Sequence, residues 1–309
     1  MSIEQSVDLW EVPEVEEAIM LVGWRQWADA GSISSGLPRY IAKLTDARKI
    51  GEVRSDGFYL FQFPGTHDLV RPLVKFKEGF PQDLQINSNE IYYAEIGTRG
   101  LVIFIGDEPH MDAERYVSSI LSIAESLNVT RMVGFGGVYG ELPYDKERFI
   151  SSIYSLKSLR IELENLGVNL SDYQGGASIG SYLCKRAGDV KKEYVSFYAF
   201  VPTYDFSSLA QVGSSIRIEN DYTAWLGVMR RVDFMLGLQL DLTDLEKKSR
   251  RLIERMDAKV EELDGMSPQV GVREYMQRLS EEFSEVIFDP LDDIWEEELR
   301  RLDDKFEDD

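Results

Sequence analysis

Cysteine occurs once among the 309 residues, as Cys184, and histidine twice, as His67 and His110. A single thiol excludes an internal disulfide and a thiolate cluster for zinc. Cationic side chains are also scarce: 34 Lys and Arg face 55 Asp and Glu, for a formal net charge of -21. A chain so charged repels phosphate backbones, so no nucleic-acid partner is expected, and an anionic membrane surface is disfavoured for the same reason. No apolar run approaches the roughly 18–20 residues needed to span a bilayer. The opening ten residues carry two acids and no base, which is not the pattern of a signal peptide. Cytoplasm is the expected compartment.

What is present is ordinary for a globular protein, with 43% hydrophobic and 29% charged residues. Apolar runs alternate with helical patterns through the first 205 positions. Ala18–Val22, Leu101–Ile105, Arg131–Phe135 and Tyr194–Val201 read as buried strands, and Phe58–Phe63 and Ile91–Ile96 as further strands rich in aromatic and β-branched residues. Helical spacing appears over Ser34–Leu44, after a cap at Asp112, over Leu156–Leu166 and over Ser178–Ala187. All-apolar strands joined by helices predict an α/β fold with a mostly parallel sheet sandwiched by helices. Lys49–Glu95 lacks helical period, so an antiparallel hairpin is expected to extend that sheet. After Pro202 the pattern turns helical, with stripes from Trp225 to Leu236 and from Leu242 to Leu263, and a third helical stretch opening at Ser267-Pro268. The expected division is an α/β core over 1–215 and a helical C-terminal subdomain over 216–309, packed on the core and ending in an acidic tail, 303–309. Residues 241–309 hold 23 acidic and 11 basic side chains, a solvated acidic face.

Motifs narrow the chemistry. Gly176-Ala177-Ser178-Ile179-Gly180 has the spacing of a nucleophile elbow. That elbow needs a strand before it and a histidine after it, and no histidine follows position 110. Ser178 therefore reads as a helix cap. Gly134-Phe135-Gly136-Gly137-Val138-Tyr139-Gly140 resembles a dinucleotide loop, but its last glycine falls one place late and no helix follows. Cys184 lies on an apolar helical face and reads as a core thiol. No metal and no cofactor is expected.

In a parallel sheet, ligands bind outside the carboxyl ends of the strands. The candidates there are Asp29, Asp107, Glu108, His110 and Tyr139, with Ser178 and the amides of Gly31, Gly136, Gly137, Gly175 and Gly176. Trp24, Trp27 and Trp225 are candidate interface anchors, since exposed tryptophans favour contact with a partner.

Four blocks in order carry a family resemblance. They are Gly23-Trp24 with Ala28-Asp29-Ala30-Gly31; Ile105-Gly106-Asp107-Glu108-Pro109 with Gly136-Gly137-Val138-Tyr139; Tyr173-Gln174-Gly175-Gly176 with Phe197–Pro202; and the helices from Ile218 to Leu263. Over roughly residues 10–300 the chain resembles the second proteasome-assembly-chaperone family, in its bacterial and archaeal branch. The resemblance implies a core folded like purine nucleoside phosphorylases, proteasome α-subunits as partners, and a homo-oligomer, with a trimer as the expected count. Relatives that dock into α-ring pockets often end in a hydrophobic-Tyr-X tail, whereas this chain ends Phe306-Glu307-Asp308-Asp309, so tail docking is not expected. Where several bacterial relatives carry histidine after proline, this chain has Pro202-Thr203 and Pro143-Tyr144, which removes any acid–base work by those groups.

Two readings follow. The first is a non-catalytic protein-binding module. The second is a binding protein or phosphorylase-like enzyme for a nucleoside- or nucleotide-like molecule, using the strand-end crevice.

Overall fold

A computed structural model describes residues 6–62, 71–205, 215–266, 268, 271–286 and 288. In chain order, β1 (Val7–Leu9) and β2 (Ala18–Arg25) lead through a 3-10 turn, Ala30–Ser32, into α1 (Ile33–Leu44). Then come β3 (Arg48–Val53), β4 (Leu73–Lys77), β5 (Phe80–Gln85), β6 (Glu90–Ile96), β7 (Arg99–Asp107) and α2 (Ala113–Ser126). Next follow β8 (Val129–Gly140), β9 (Ile150–Tyr154), α3 (Arg160–Glu164), β10 (Asn169–Leu170), α4 (Ile179–Asp189), β11 (Glu193–Asp205) and β12 (Ser215–Arg217). Three helices follow among the described residues: α5 (Tyr222–Leu236), α6 (Thr243–Met266) and α7 (Val272–Glu282).

One large sheet runs in the order β1-β3-β6-β7-β2-β8-β11-β9-β10, with β12 added to the end of β11. Its centre, β7-β2-β8-β11, is parallel throughout. Antiparallel strands extend it on both sides, β6, β3 and β1 on one and β9 on the other. Strand alternation sorts the side chains between two layers. Ile19 and Leu21 of β2 pack with α1, α5 and α6, while Ala18, Met20 and Val22 pack with α2 and α4. Both faces are covered, which is why the central strands are apolar at nearly every position.

The C-terminal helices share the first of these layers. Val228, Met229 and Val232 of α5 and Leu245, Leu252 and Met256 of α6 belong to the same apolar cluster as Leu21, Ile33 and Phe197. Two buried arginines tie α5 to the sheet side. Arg148 pairs with Asp221 (Nε–Oδ2 2.8 Å), and Asp221 in turn accepts the amides of Thr223 and Ala224 at the start of α5. Arg231 donates to the carbonyls of Leu166 and Gly227 and to Glu147. The acidic tail 303–309 and Ser267 lie outside the described residues.

Some elements differ from the sequence pattern. Phe58–Gln62 is not a strand, and Phe63 lies outside the described residues. Phe58 is instead a loop anchor, fully buried edge-on against Tyr116 with the Arg115 guanidinium 4.1 Å above its ring. High β-propensity here reflects burial and not ladder pairing. The helix expected to reach Leu166 is a 3-10 turn plus the five-residue α3. Pro202 does not end β11; it sits opposite Gly140, and three more residues continue the strand against β12.

Candidate functional site

The loop between β2 and α1 builds one wall of a cleft at the carboxyl end of the parallel sheet. It folds down onto β8, where the Gly137 amide donates to the Ala28 carbonyl at 2.7 Å and Asp29 bridges to Gly137 in parallel fashion. Gly137 has to be glycine, because a Cβ there would stand 2.1 Å from the Ala30 carbonyl oxygen. The loop itself is strained: Gln26, Ala28 and Ser32 all have positive φ, at 92°, 52° and 50°. Non-glycine residues seldom adopt that conformation, and clusters of them mark functional loops. Asp29 Oδ1 accepts the Ser35 amide at 2.8 Å, which anchors the loop to the first turn of α1. Burial raises the Asp29 pKa against the pull of those amides.

The cleft encloses about 630 Å³. Five aromatic residues line it: Trp27, Tyr139, Tyr173, Tyr198 and Phe200. Ser151, Ser171, Ser178 and Ser181 line it as well, and Asp29 is the one charged residue of the lining. The floor near α4 is already hydrogen-bonded. Ser178 Oγ accepts the Ser181 amide at 3.2 Å and lies 3.2 Å from the Tyr198 hydroxyl. Glu108 Oε1 accepts the Ile179 amide at 2.7 Å, so a carboxylate occupies the positive end of the helix. The second oxygen, Oε2, is buried without a hydrogen bond, and burial raises the Glu108 pKa while the Ile179 and Trp27 amides oppose it.

The strand-end candidates thus divide. Trp27, Asp29, Gly137, Tyr139, Gly176 and Ser178 meet in the cleft. Gly136 supports it from below, since the Tyr198 ring lies where a Cβ would be, 2.3 Å away. Gly175 is exposed beside the Tyr173 hydroxyl, and Glu108 sits behind the cleft at α4. Gly31 is buried, and its carbonyl accepts Trp225 Nε1 and the Asp221 amide. Asp107 forms a two-pronged pair with Arg25 (2.5 and 2.6 Å) and accepts the Ser88 amide, so its acceptors are taken. His110 takes the Leu60 amide on Nδ1 at 3.0 Å and packs edge-on against Tyr59, away from the cleft. Burial lowers its pKa, which keeps the ring neutral.

The tryptophans divide as well. Trp27 is 60% exposed at the cleft rim. Trp24 is buried, because β2 runs three residues past its apolar run and turns that side chain toward Tyr116, whose hydroxyl accepts Nε1 at 3.0 Å. Trp225 is buried too, and it locks α5 to the Gly31 turn. Neither offers a ring to a partner. Ser151, Tyr198 and Phe200 were missed as site residues because they sit inside strands β9 and β11, whose pairing no local signal reveals. Among the described residues, no group of three or more His, Cys, Asp or Glu could hold a metal ion, and no helix is long and apolar enough to cross a membrane.

A second surface stands apart from the cleft. Among the described residues, strands β4 and β5 pair only with each other, as an antiparallel hairpin outside the main sheet. Every residue of both strands is exposed, including Leu73, Val74, Phe76, Phe80 and Leu84. An isolated two-stranded hairpin is marginal in water, and a run of exposed apolar side chains marks a contact surface.

The family model described as "PAC2 family" matches residues 24–260. No curated protein matches the chain. Solved structures of similar fold include a proteasome-assembly chaperone homologue of Mycobacterium tuberculosis. It is 20% identical with a TM-score of 0.66, over 78% of this chain and 94% of that one. A PAC2 family protein of Streptomyces avermitilis is also 20% identical with a TM-score of 0.66, over 84% and 99%. An archaeal proteasome activator of Pyrococcus furiosus is 18% identical with a TM-score of 0.58, over 82% and 98%. At such identities the likeness speaks for the fold.

Proposed function

The chain belongs to the PAC2 family, and from that premise we propose that it is a non-catalytic protein-binding module with a proteasome-related role in the cytoplasm. The observation that carries this reading is the β4–β5 arm, which holds five large apolar side chains exposed and, among the described residues, pairs with no other strand. Relatives of the same fold are described as a proteasome-assembly chaperone homologue and a proteasome activator, which makes proteasome α-subunits the first partners to try. Lys75 and Lys77 on β4 and Asp83 on β5 keep the arm soluble and would ring an apolar contact with charge, the usual anatomy of an interface. Self-association into a homo-oligomer, with three subunits expected, belongs to the same reading.

The test is the double variant Phe76→Ser/Phe80→Ser, compared with the parent chain by sedimentation and by binding to purified proteasome α-subunits of the host. The parent is expected to bind and to self-associate, and the variant to lose both while keeping its melting temperature. A monomeric parent that ignores the α-subunits would sink the reading.

A further inference from the structure

The strand-end cleft has a chemistry that the protein-binding reading does not use. Its rim carries three aromatic residues left largely in solvent, Trp27, Tyr139 and Tyr173, at 60%, 47% and 70% exposure. Three such rings around one cavity form an aromatic wall. Asp29 is the one charged side chain among the lining residues. Among the described residues it forms no ion pair; Arg25, which acts on it only through its field, is held in the two-pronged pair with Asp107. The α4 N-terminus would ordinarily favour an anion. Here Glu108 accepts the Ile179 amide and Ser178 the Ser181 amide, so those two donors are already used. No lysine or arginine lines the cavity, and the net charge of -21 repels anions from a distance. One rim ring already engages a cation: the Arg217 guanidinium lies 5.8 Å from the centroid of Tyr139.

From this arrangement we infer that the cleft binds a small organic cation, an ammonium or guanidinium on an apolar body, with Asp29 as counter-ion and Trp27, Tyr139 and Tyr173 as the aromatic wall. Quadrupolar ring faces attract such cations most strongly where water is excluded. A partly buried carboxylate held by amides but by no ion pair gains from a cation that replaces its lost hydration. Anionic nucleotides fit less well, since no lysine or arginine is among the lining residues to neutralise a phosphate. The inference is independent of the hairpin, and either can fail while the other stands.

Three probes of one shape and different charge decide it: 2-phenylethylamine, 2-phenylethanol and phenylacetate, titrated calorimetrically into the full chain at low salt. The amine is expected to bind about tenfold more tightly than the alcohol, a difference in the range of one desolvated cation–π contact plus a counter-ion. Phenylacetate is expected to show no binding. Asp29→Asn keeps an acceptor for the Ser35 amide and should erase the preference for the amine while leaving alcohol binding in place. Should that variant fail to fold, Tyr173→Ala removes an exposed ring and should weaken the amine about fivefold. Equal affinity for amine and alcohol, preferred binding of phenylacetate, undisturbed selectivity in the variants, or no binding of the amine would each overturn the inference.

Discussion

Two pieces of β structure in this chain are built from similar residues and put to opposite use. The parallel centre, β7-β2-β8-β11, is apolar at nearly every position and has helices on both faces. The β4–β5 hairpin is also rich in Leu, Val and Phe, yet all its residues are in solvent. The difference lies in what the strands can be covered by. Parallel strands require long crossovers, and those crossovers are the helices that bury them. A hairpin closes through a tight turn, Glu78-Gly79, with positive φ at both positions, so it brings no cover with it. Apolar content alone does not say whether a strand is core or contact surface.

That contrast can be broken most forcefully in the core. Phe197 is fully buried on β11, and Phe197→Ala is expected to cost about 3–5 kcal/mol in denaturant unfolding. Nearly as large an effect is expected at the joint between sheet and C-terminal helices. Arg148→Met leaves Asp221 buried without its partner, with an expected loss of about 3 kcal/mol in the same measurement. If α5 and α6 instead unfold separately, as a second transition at lower denaturant, the helices are a distinct unit and the joint is not cooperative.

A smaller effect, of opposite sign, is expected at Glu108. Its folded-state pKa is raised above the ordinary 4.5 because burial opposes the charge. Protonated Glu108 is therefore the form that folding favours, and its ionisation costs stability as pH rises through the raised value. Glu108→Gln should melt like the parent at low pH and above it at pH 8, by on the order of 1 kcal/mol. Thermal unfolding across that range checks it, and a gain that shrinks with rising pH would contradict the assignment. The smallest change is expected from Phe76→Ser/Phe80→Ser, whose unfolding free energy should stay within about 0.5 kcal/mol of the parent. A large loss there would mean that the hairpin is packed against something, and the comparison with the core would collapse.

The central strands were legible because burial on both faces leaves no polar positions: Ala18–Val22 and Leu101–Ile105 announce themselves as runs. The helix caps were legible too, since Asp112 and Ser178 accept the amides of Arg115 and Ser181, three residues ahead. An antiparallel hairpin within Lys49–Glu95 is expected to extend the sheet; β3 and β6 do so, but the β4–β5 hairpin forms a sheet of its own, and its strands were not legible. Leu73–Gln85 mixes apolar residues with Lys, Glu and Asp, and neither alternation nor a continuous run survives the bulge between Lys75 and Phe76. Half the cleft followed from the rule that parallel strands present their carboxyl ends together, which brought Asp29, Gly137 and Tyr139 to one place. Ser151 and Phe200 escaped it because β9 inserts antiparallel beside β11, a long-range pairing set by the whole sheet.

Local chemistry in the chain determined the apolar central strands and the helix starts, because those depend on neighbours a few residues away, and composition alone set the acidic net charge. Tertiary structure alone decided that Trp24 and Trp225 are core while Trp27 is rim, and that Asp107 is spent on Arg25 while Asp29 faces a cleft. These outcomes turn on which distant backbone each side chain meets, and on one strand, β2, running three residues beyond its apolar stretch.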